Sequence, residues 1–155
     1  MALKRVVVTG LGALTPIGNN LDEFWTGLIE GKSGAAPITY FDTEKFKTKF
    51  ACELKDFDIS LHLDRKQQRK MDRFTQYGMV STEEAIKDSG LDLEKIDKLR
   101  VGVIWGSGIG GIETFQNQLL DHASGDGTPR VNPFFIPKMI ADITPGYILS
   151  LIHIS

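Results

Sequence analysis

Lys4-Arg-Val-Val-Val-Thr-Gly-Leu-Gly-Ala-Leu-Thr-Pro-Ile-Gly18 is the stretch whose reading decides the fold class. Residues 4–9 are too apolar and β-branched for a strand with one wet face. They predict a strand buried on both sides, as in a layered α/β sheet. Gly10, Gly12 and Gly18 then punctuate a tight strand-to-helix turn that needs permissive backbone angles. From Asn20 the period becomes helical, with Leu21, Phe24, Trp25, Leu28 and Ile29 on one face. Asn20 is a good cap, Glu23 follows three residues on, and Gly31 closes the helix.

Outward from there, residues 32–64 scatter Phe41, Phe46, Phe50 and Phe57 among Gly, Pro and Asp without long periodicity. So many aromatics suit loops and short pieces packed over a sheet, not a linker. One long helical segment is predicted over residues 65–89, closed by Gly90, with Gly78, Ser81 and Ala85 as a small-residue stripe for close packing. Residues 100–105 predict a second buried strand. A helix with Ile112, Phe115, Leu119, Leu120 and Ala123 on one face follows. After a loop at 124–130, Phe134, Phe135, Ile136, Met139, Ile140 and Ile143 begin an apolar segment, and Pro137 suits its first helical turn.

Composition narrows the function classes. The 155 residues allow one ordinary domain with a core. At 41% hydrophobic and 25% charged, the chain belongs with soluble globular proteins, not disordered or fibrous ones. A net charge of −2 offers no whole-molecule attraction to nucleic acid or membrane. No apolar run approaches the ~18 residues of a membrane span. The apolar start runs at once into a glycine turn, so it reads as a first strand and not a signal peptide. A single cysteine, Cys52, excludes an intramolecular disulfide and fits a reducing, cytoplasmic setting.

Several motifs carry competing readings. Gly106-Ser-Gly-Ile-Gly-Gly111 matches G-x-G-x-x-G after a strand and before a helix, which leaves a nucleotide-binding α/β domain open. Against it, the place where a ribose-binding acid should end the next strand holds Pro129-Arg-Val-Asn-Pro133. Lys66, Arg69, Lys70 and Arg73 are spaced to share one helical face. Such a face is either simply solvated or a docking patch for an acidic partner. No aromatics interleave with these cations, which disfavours nucleic acid. His62, His122 and His153 lack ligand spacing, so no metal site is expected. Cys52, beside Phe50-Ala51, reads as a small buried hydrophobe.

Taken in order, a series of stretches resembles the N-terminal part of β-ketoacyl-[acyl carrier protein] synthase II, in the thiolase-like condensing enzyme family. They are Arg5-Val-Val-Val-Thr-Gly-Leu-Gly-Ala-Leu-Thr-Pro-Ile-Gly18, Gly31-Lys-Ser-Gly34, Phe41-Asp-Thr43 and Lys49-Phe-Ala51. Arg69-Lys-Met-Asp-Arg-Phe74, Gln76-Tyr-Gly78, Gly106-Ser-Gly-Ile-Gly-Gly111 and Asn132-Pro-Phe-Phe-Ile-Pro137 complete the series. Each is weak alone; the ordered set, over residues 4–147, is specific. Ile109 and the Arg-Lys-Met-Asp run resemble the synthase II branch more than the synthase I branch.

The resemblance implies an α/β protein with a partial thiolase-like fold, most of the first half of an αβαβα layered sandwich. It implies a cytoplasmic, homodimeric acyltransferase of fatty-acid chain elongation. An acyl group on a cysteine is condensed with malonyl-acyl carrier protein as carbon dioxide leaves, without metal or nucleotide cofactor. Acyl carrier protein, acyl- or malonyl-loaded, is then the partner. Ile109, Phe134 and Phe135 match acyl-pocket positions, and Lys66, Arg69, Lys70 and Arg130 match carrier-docking positions. The family's nucleophilic cysteine and two histidines are expected beyond residue 148. Residues 1–148 accordingly read as the front of a synthase domain truncated before its nucleophile. Residues 149–155 read as a tail departing from the pattern, and the chain itself as catalytically inactive. A condensing-enzyme-like partner subunit that acts only by binding is the other alternative.

Overall fold

The computed structural model describes residues 3–153, which fall into two compact units. The first comprises the residues up to Phe57 together with Ser81–Leu91; the second comprises Asp58–Val80 and the residues from Asp92 onward. Residues 1–2 and 154–155, the outer ends of the expected 1–148 domain and 149–155 tail, lie outside the described residues.

In the first unit, α1 (Leu21–Ile29) forms as its local code dictates: Asn20 Oδ1 accepts the Glu23 N–H at 2.9 Å. Glu23 in turn accepts the Asn19 N–H at 2.8 Å, and Gly31 leaves the helix at φ +66°. Residues 32–57 hold only a two-residue antiparallel ladder, β1 (Ala36–Pro37) with β2 (Phe50–Ala51). Phe41 and Phe46 pack on each other beside it, with ring centroids 5.3 Å apart.

The glycine turn is shaped by contact and not by backbone angle. Neither Gly10 nor Gly12 has positive φ. A Cβ on Gly10 would lie 2.3 Å from the Ala85 carbonyl oxygen, and one on Gly12 would lie 2.0 Å from that of Ser81. The small-residue stripe thus does pack closely, on the second half of α3 (Arg73–Ser89). That half also anchors the turn through acids. Glu84 accepts the N–H groups of Ala13 and Leu21, each at 2.7 Å, and Asp88 accepts that of Leu11 at 2.9 Å.

The two expected buried strands are corrected. Val6 is 90% exposed and Ile104 fully exposed, and neither run has a strand partner among the described residues. A doubly buried strand requires neighbours along both edges and a layer on each face. The described residues supply no strand neighbour to either run, and only the second has a packed face, where Val101 and Val103 lie against the core.

In the second unit, the single helix expected over residues 65–89 is two. α2 (Arg65–Lys70) ends at Met71, whose backbone is extended (φ −110°, ψ 140°), and α3 starts two residues later. Met71 drives the break. Its side chain is buried with Leu63, Met79, Ile148 and Ile152, and a continuous helix would have to carry it elsewhere. α4 (Ile112–Ser124), α5 (Phe135–Met139, with Pro137 in its first turn) and α6 (Ile143–His153) complete the unit. α6 runs through residues 149–153 and buries Ile148 and Ile152. It meets α3 where a Cβ on Gly78 would lie 2.7 Å from Thr144 Cγ2. There the Thr144 hydroxyl, fully buried, donates to Thr75 Oγ1 at 3.1 Å.

Candidate functional site

α2 is a short helix held by a full capping box. Asp64 accepts the Gln67 N–H at 2.8 Å, and Gln67 Oε1 accepts the Asp64 N–H at 2.9 Å. Gln68 donates to the Leu63 carbonyl at 2.7 Å, tying the helix start to a buried core residue. Acid at the start and Arg69 and Lys70 in the last turn both complement the helix dipole. So fixed, α2 presents Arg65, Lys66, Arg69 and Lys70 along an open depression of about 430 Å³ whose remaining wall is Phe134. The Lys70 ammonium sits 5.9 Å from the centre of the Phe134 ring, within reach of a cation–π attraction. Four cations, an aromatic ring and no carboxylate line the hollow, an arrangement suited to an acidic surface that also carries apolar groups.

Not every predicted member joins it. Arg73, expected on the same face, lies beyond the break at Met71 and pairs with Glu113 of α4 at 3.5 Å. Arg130 does not line the hollow; it stands in the loop after α4, paired with Asp126 at 3.1 Å. The Thr128 backbone N–H and side chain hold the Asp126 carboxyl below its ordinary value, so it stays charged opposite Arg130 at neutral pH. Gln118 clamps the loop by donating to the Arg130 carbonyl at 3.2 Å and accepting the Asn132 N–H at 3.0 Å.

The three expected acyl-pocket residues part company. Phe134 faces α2, whereas Phe135 stacks on Phe115 of α4 with centroids 6.3 Å apart and planes 20° apart. Ile109 is 71% exposed on the glycine-rich loop. That loop is pressed on α5: the Gly111 N–H donates to the Met139 carbonyl at 3.0 Å, and the Gly110 N–H donates to Ser107 Oγ at 3.1 Å. A Cβ on Gly111 would lie 2.1 Å from the Lys138 carbonyl oxygen. Close approach of protein to protein therefore accounts for Gly111, and its amide already has an acceptor where the dinucleotide reading needs it to meet a phosphate.

Sequence reasoning missed Asp72, which accepts the Thr114 hydroxyl, and Glu84, which bridges two backbone amides. Asp72 gave a local signal, a cap-forming residue before the Phe74–Tyr77 turn; Glu84 gave none. Cys52 is exposed, not buried as expected. Among the described residues no group of three His, Cys, Asp or Glu side chains is placed to hold a metal.

Residues 3–154 match the profile of the family described as beta-ketoacyl synthase, N-terminal domain. A 3-oxoacyl-[acyl-carrier-protein] synthase 2 of Staphylococcus aureus is 47% identical over 148 residues, covering 94% of this chain and 35% of its own length. A protein of the same name from Synechocystis sp. is 45% identical over 146 residues, covering 92% of this chain and 34% of its own. Among solved structures, a type II polyketide synthase acyl-carrier protein in complex with its ketosynthase bound to the hexaketide aligns with a TM-score of 0.77. It is 30% identical and covers 96% of this chain and 38% of that one. The chain thus spans about a third of the length of the curated relatives it matches.

Proposed function

Because this chain belongs to the β-ketoacyl synthase family, within its N-terminal domain, we propose that it serves fatty-acid chain elongation as part of a 3-oxoacyl-[acyl carrier protein] synthase. The whole enzyme condenses a cysteine-bound acyl group with malonyl-acyl carrier protein, releasing carbon dioxide. This chain's share is recognition: α2 docks the acidic carrier protein, with Arg130 on an adjoining loop. Ile109, Phe134 and Phe135 belong to the acyl-chain path of the whole enzyme. The observation that carries the reading is the hollow of Arg65, Lys66, Arg69 and Lys70 around Phe134, on a chain 47% identical to a synthase whose name specifies a carrier-protein substrate.

Alone, the 155-residue chain is proposed to be inactive, since its single cysteine is exposed Cys52, for which no activating partner is seen among the described residues. Exposed Ile112, Leu119 and Leu120 on α4 support pairing of two copies in the whole enzyme. A cytoplasmic setting is supported by the lone cysteine. No helix among the described residues is long and apolar enough to cross a membrane.

Titration calorimetry with acyl carrier protein tests the docking. Exposed ion pairs contribute roughly 0.2–1 kcal/mol each, so reversing Lys66, Arg69 and Lys70 to Glu should weaken binding about three- to hundredfold. Added salt should weaken the wild-type contact as well. Affinity unchanged by the triple reversal would return this face to a merely solvated one.

A further inference from the structure

We propose that Asp72 is a positioning residue: through Thr114 it holds the glycine-rich loop that carries Ile109 in fixed register with the basic helix α2. The inference rests on the reading of α2 as a docking face and of Ile109 as part of the acyl path.

Asp72 occupies the joint between α2 and α3, directly after buried Met71. Its backbone carbonyl accepts the Gln76 N–H at 3.0 Å, so its main chain belongs to α3. Its carboxylate caps that helix only weakly, with Oδ1 at 3.5 Å from the Phe74 N–H. The stronger contact is made by Oδ2, which accepts the Thr114 hydroxyl in the first turn of α4. Gly111 lies beside that same oxygen: a Cβ there would stand 3.0 Å from Asp72 Oδ2 and 2.1 Å from the Lys138 carbonyl oxygen. The end of the loop is therefore packed close to both the carboxylate and α5.

α5 returns the connection to α2. Gly111 donates to Met139 at the end of α5, and Phe134 at its start meets the Lys70 ammonium. The contacts close a ring from α2 through Asp72, Thr114, Gly111 and α5 back to Lys70. A partner that seats on α2 acts on the loop from both ends of this ring. Asp72 supplies the charge-assisted hydrogen bond in it, and such a bond in a partly buried place is the kind whose loss opens structure locally.

Amide exchange on the 155-residue chain tests this, with Thr114→Val replacing the hydroxyl by a methyl group of similar size. Asp72→Ser keeps a helix cap but is too short to reach Thr114. Both should speed exchange at Gly110, Gly111 and Ile112 by about tenfold or more. Thr114→Ser should restore wild-type rates, and Met79 and Val80 in α3 should be unaffected throughout. The double variant should exchange no faster than either single one, since both remove one interaction. Loop rates unchanged in the two variants would overturn the proposal, as would equal acceleration at Met79 and Val80.

Acyl carrier protein supplies the second arm. It should slow the loop amides of the wild type but not of Thr114→Val, with affinities within about twofold of each other. Binding that leaves wild-type loop exchange unaltered would overturn the link to α2. A carrier protein that does not bind the wild type defeats the docking reading instead, and the carrier-free exchange rates still decide the role of Asp72.

Discussion

Gly111→Ala puts the packing of the glycine-rich loop to a quantitative test. The added methyl would lie 2.1 Å from the Lys138 carbonyl oxygen, where an ordinary contact is about 3.5 Å. The obstacle is backbone, which cannot swing aside as a side-chain end could. Over-packing of a tight site costs roughly 1–3 kcal/mol. Relief by moving the loop sacrifices the Gly111–Met139 hydrogen bond, net about 1 kcal/mol, and loosens the Thr114–Asp72 bond. Strain and lost bonds trade against each other, so the total should be about 2–4 kcal/mol. Gly102→Ala is the control: nothing lies within 4 Å of its Cβ position and its φ is not positive. It should stabilise by about 0.4–1 kcal/mol through the unfolded chain alone. Urea unfolding followed by Trp105, in a Trp25→Phe background, reads the unit that contains both sites. With a urea slope of ~2 kcal/mol/M, the Gly111 variant should unfold about 1–2 M earlier than wild type. A Gly111→Ala midpoint at or above wild type would refute the contact and reopen the phosphate-cradle reading of Gly106–Gly111. Stabilisation by NAD or NADP in a thermal-shift assay would then be the next measurement.

Other outcomes follow from the same geometry. Glu84→Ala strips a carboxylate from the Ala13 and Leu21 amides and should cost about 1.5–3 kcal/mol, whereas Glu83→Ala, at an exposed position, should stay within about 0.5 kcal/mol; equal effects in urea unfolding would discount the bridge. In a full-length synthase carrying this sequence as its N-terminal part, Ile109→Phe should disfavour long acyl chains about five- to hundredfold. An unaltered chain-length profile in the folded variant would remove Ile109 from the acyl path. Purified 155-residue chain should yield no 3-oxoacyl product; product that Cys52→Ala abolishes would instead make Cys52 a nucleophile.

What was legible in this sequence divides by the range of the force that decides it. α1 was readable because its cap and terminal Gly31 act within one helix, although Trp25, Leu28 and Ile29 of its apolar face are exposed. The break between α2 and α3 was not, since Arg65–Arg73 contains no proline or glycine and every residue there tolerates a helix. The break is decided by Met71 finding Leu63, Met79, Ile148 and Ile152, the last two distant in the chain. Glu84 and Asp88 look like acids of a solvated helix face, yet their partners lie 63 to 77 residues away. The candidate site shows the same division. The cations of α2 were legible from spacing, but Phe134 as their apolar wall, and the loss of Arg73 to Glu113, required tertiary structure. Apolar runs give the most instructive case. Val6, Val8 and Ile104 were read as buried, and each, left in water, forgoes about 1.5–3 kcal/mol. A β-branched run of this kind states a requirement for neighbours without naming them. Its exposure here therefore measures an unmet demand for burial, and it makes residues 4–9 a segment where added strand partners would contribute to stability, whereas Val101 and Val103 already pack against the core.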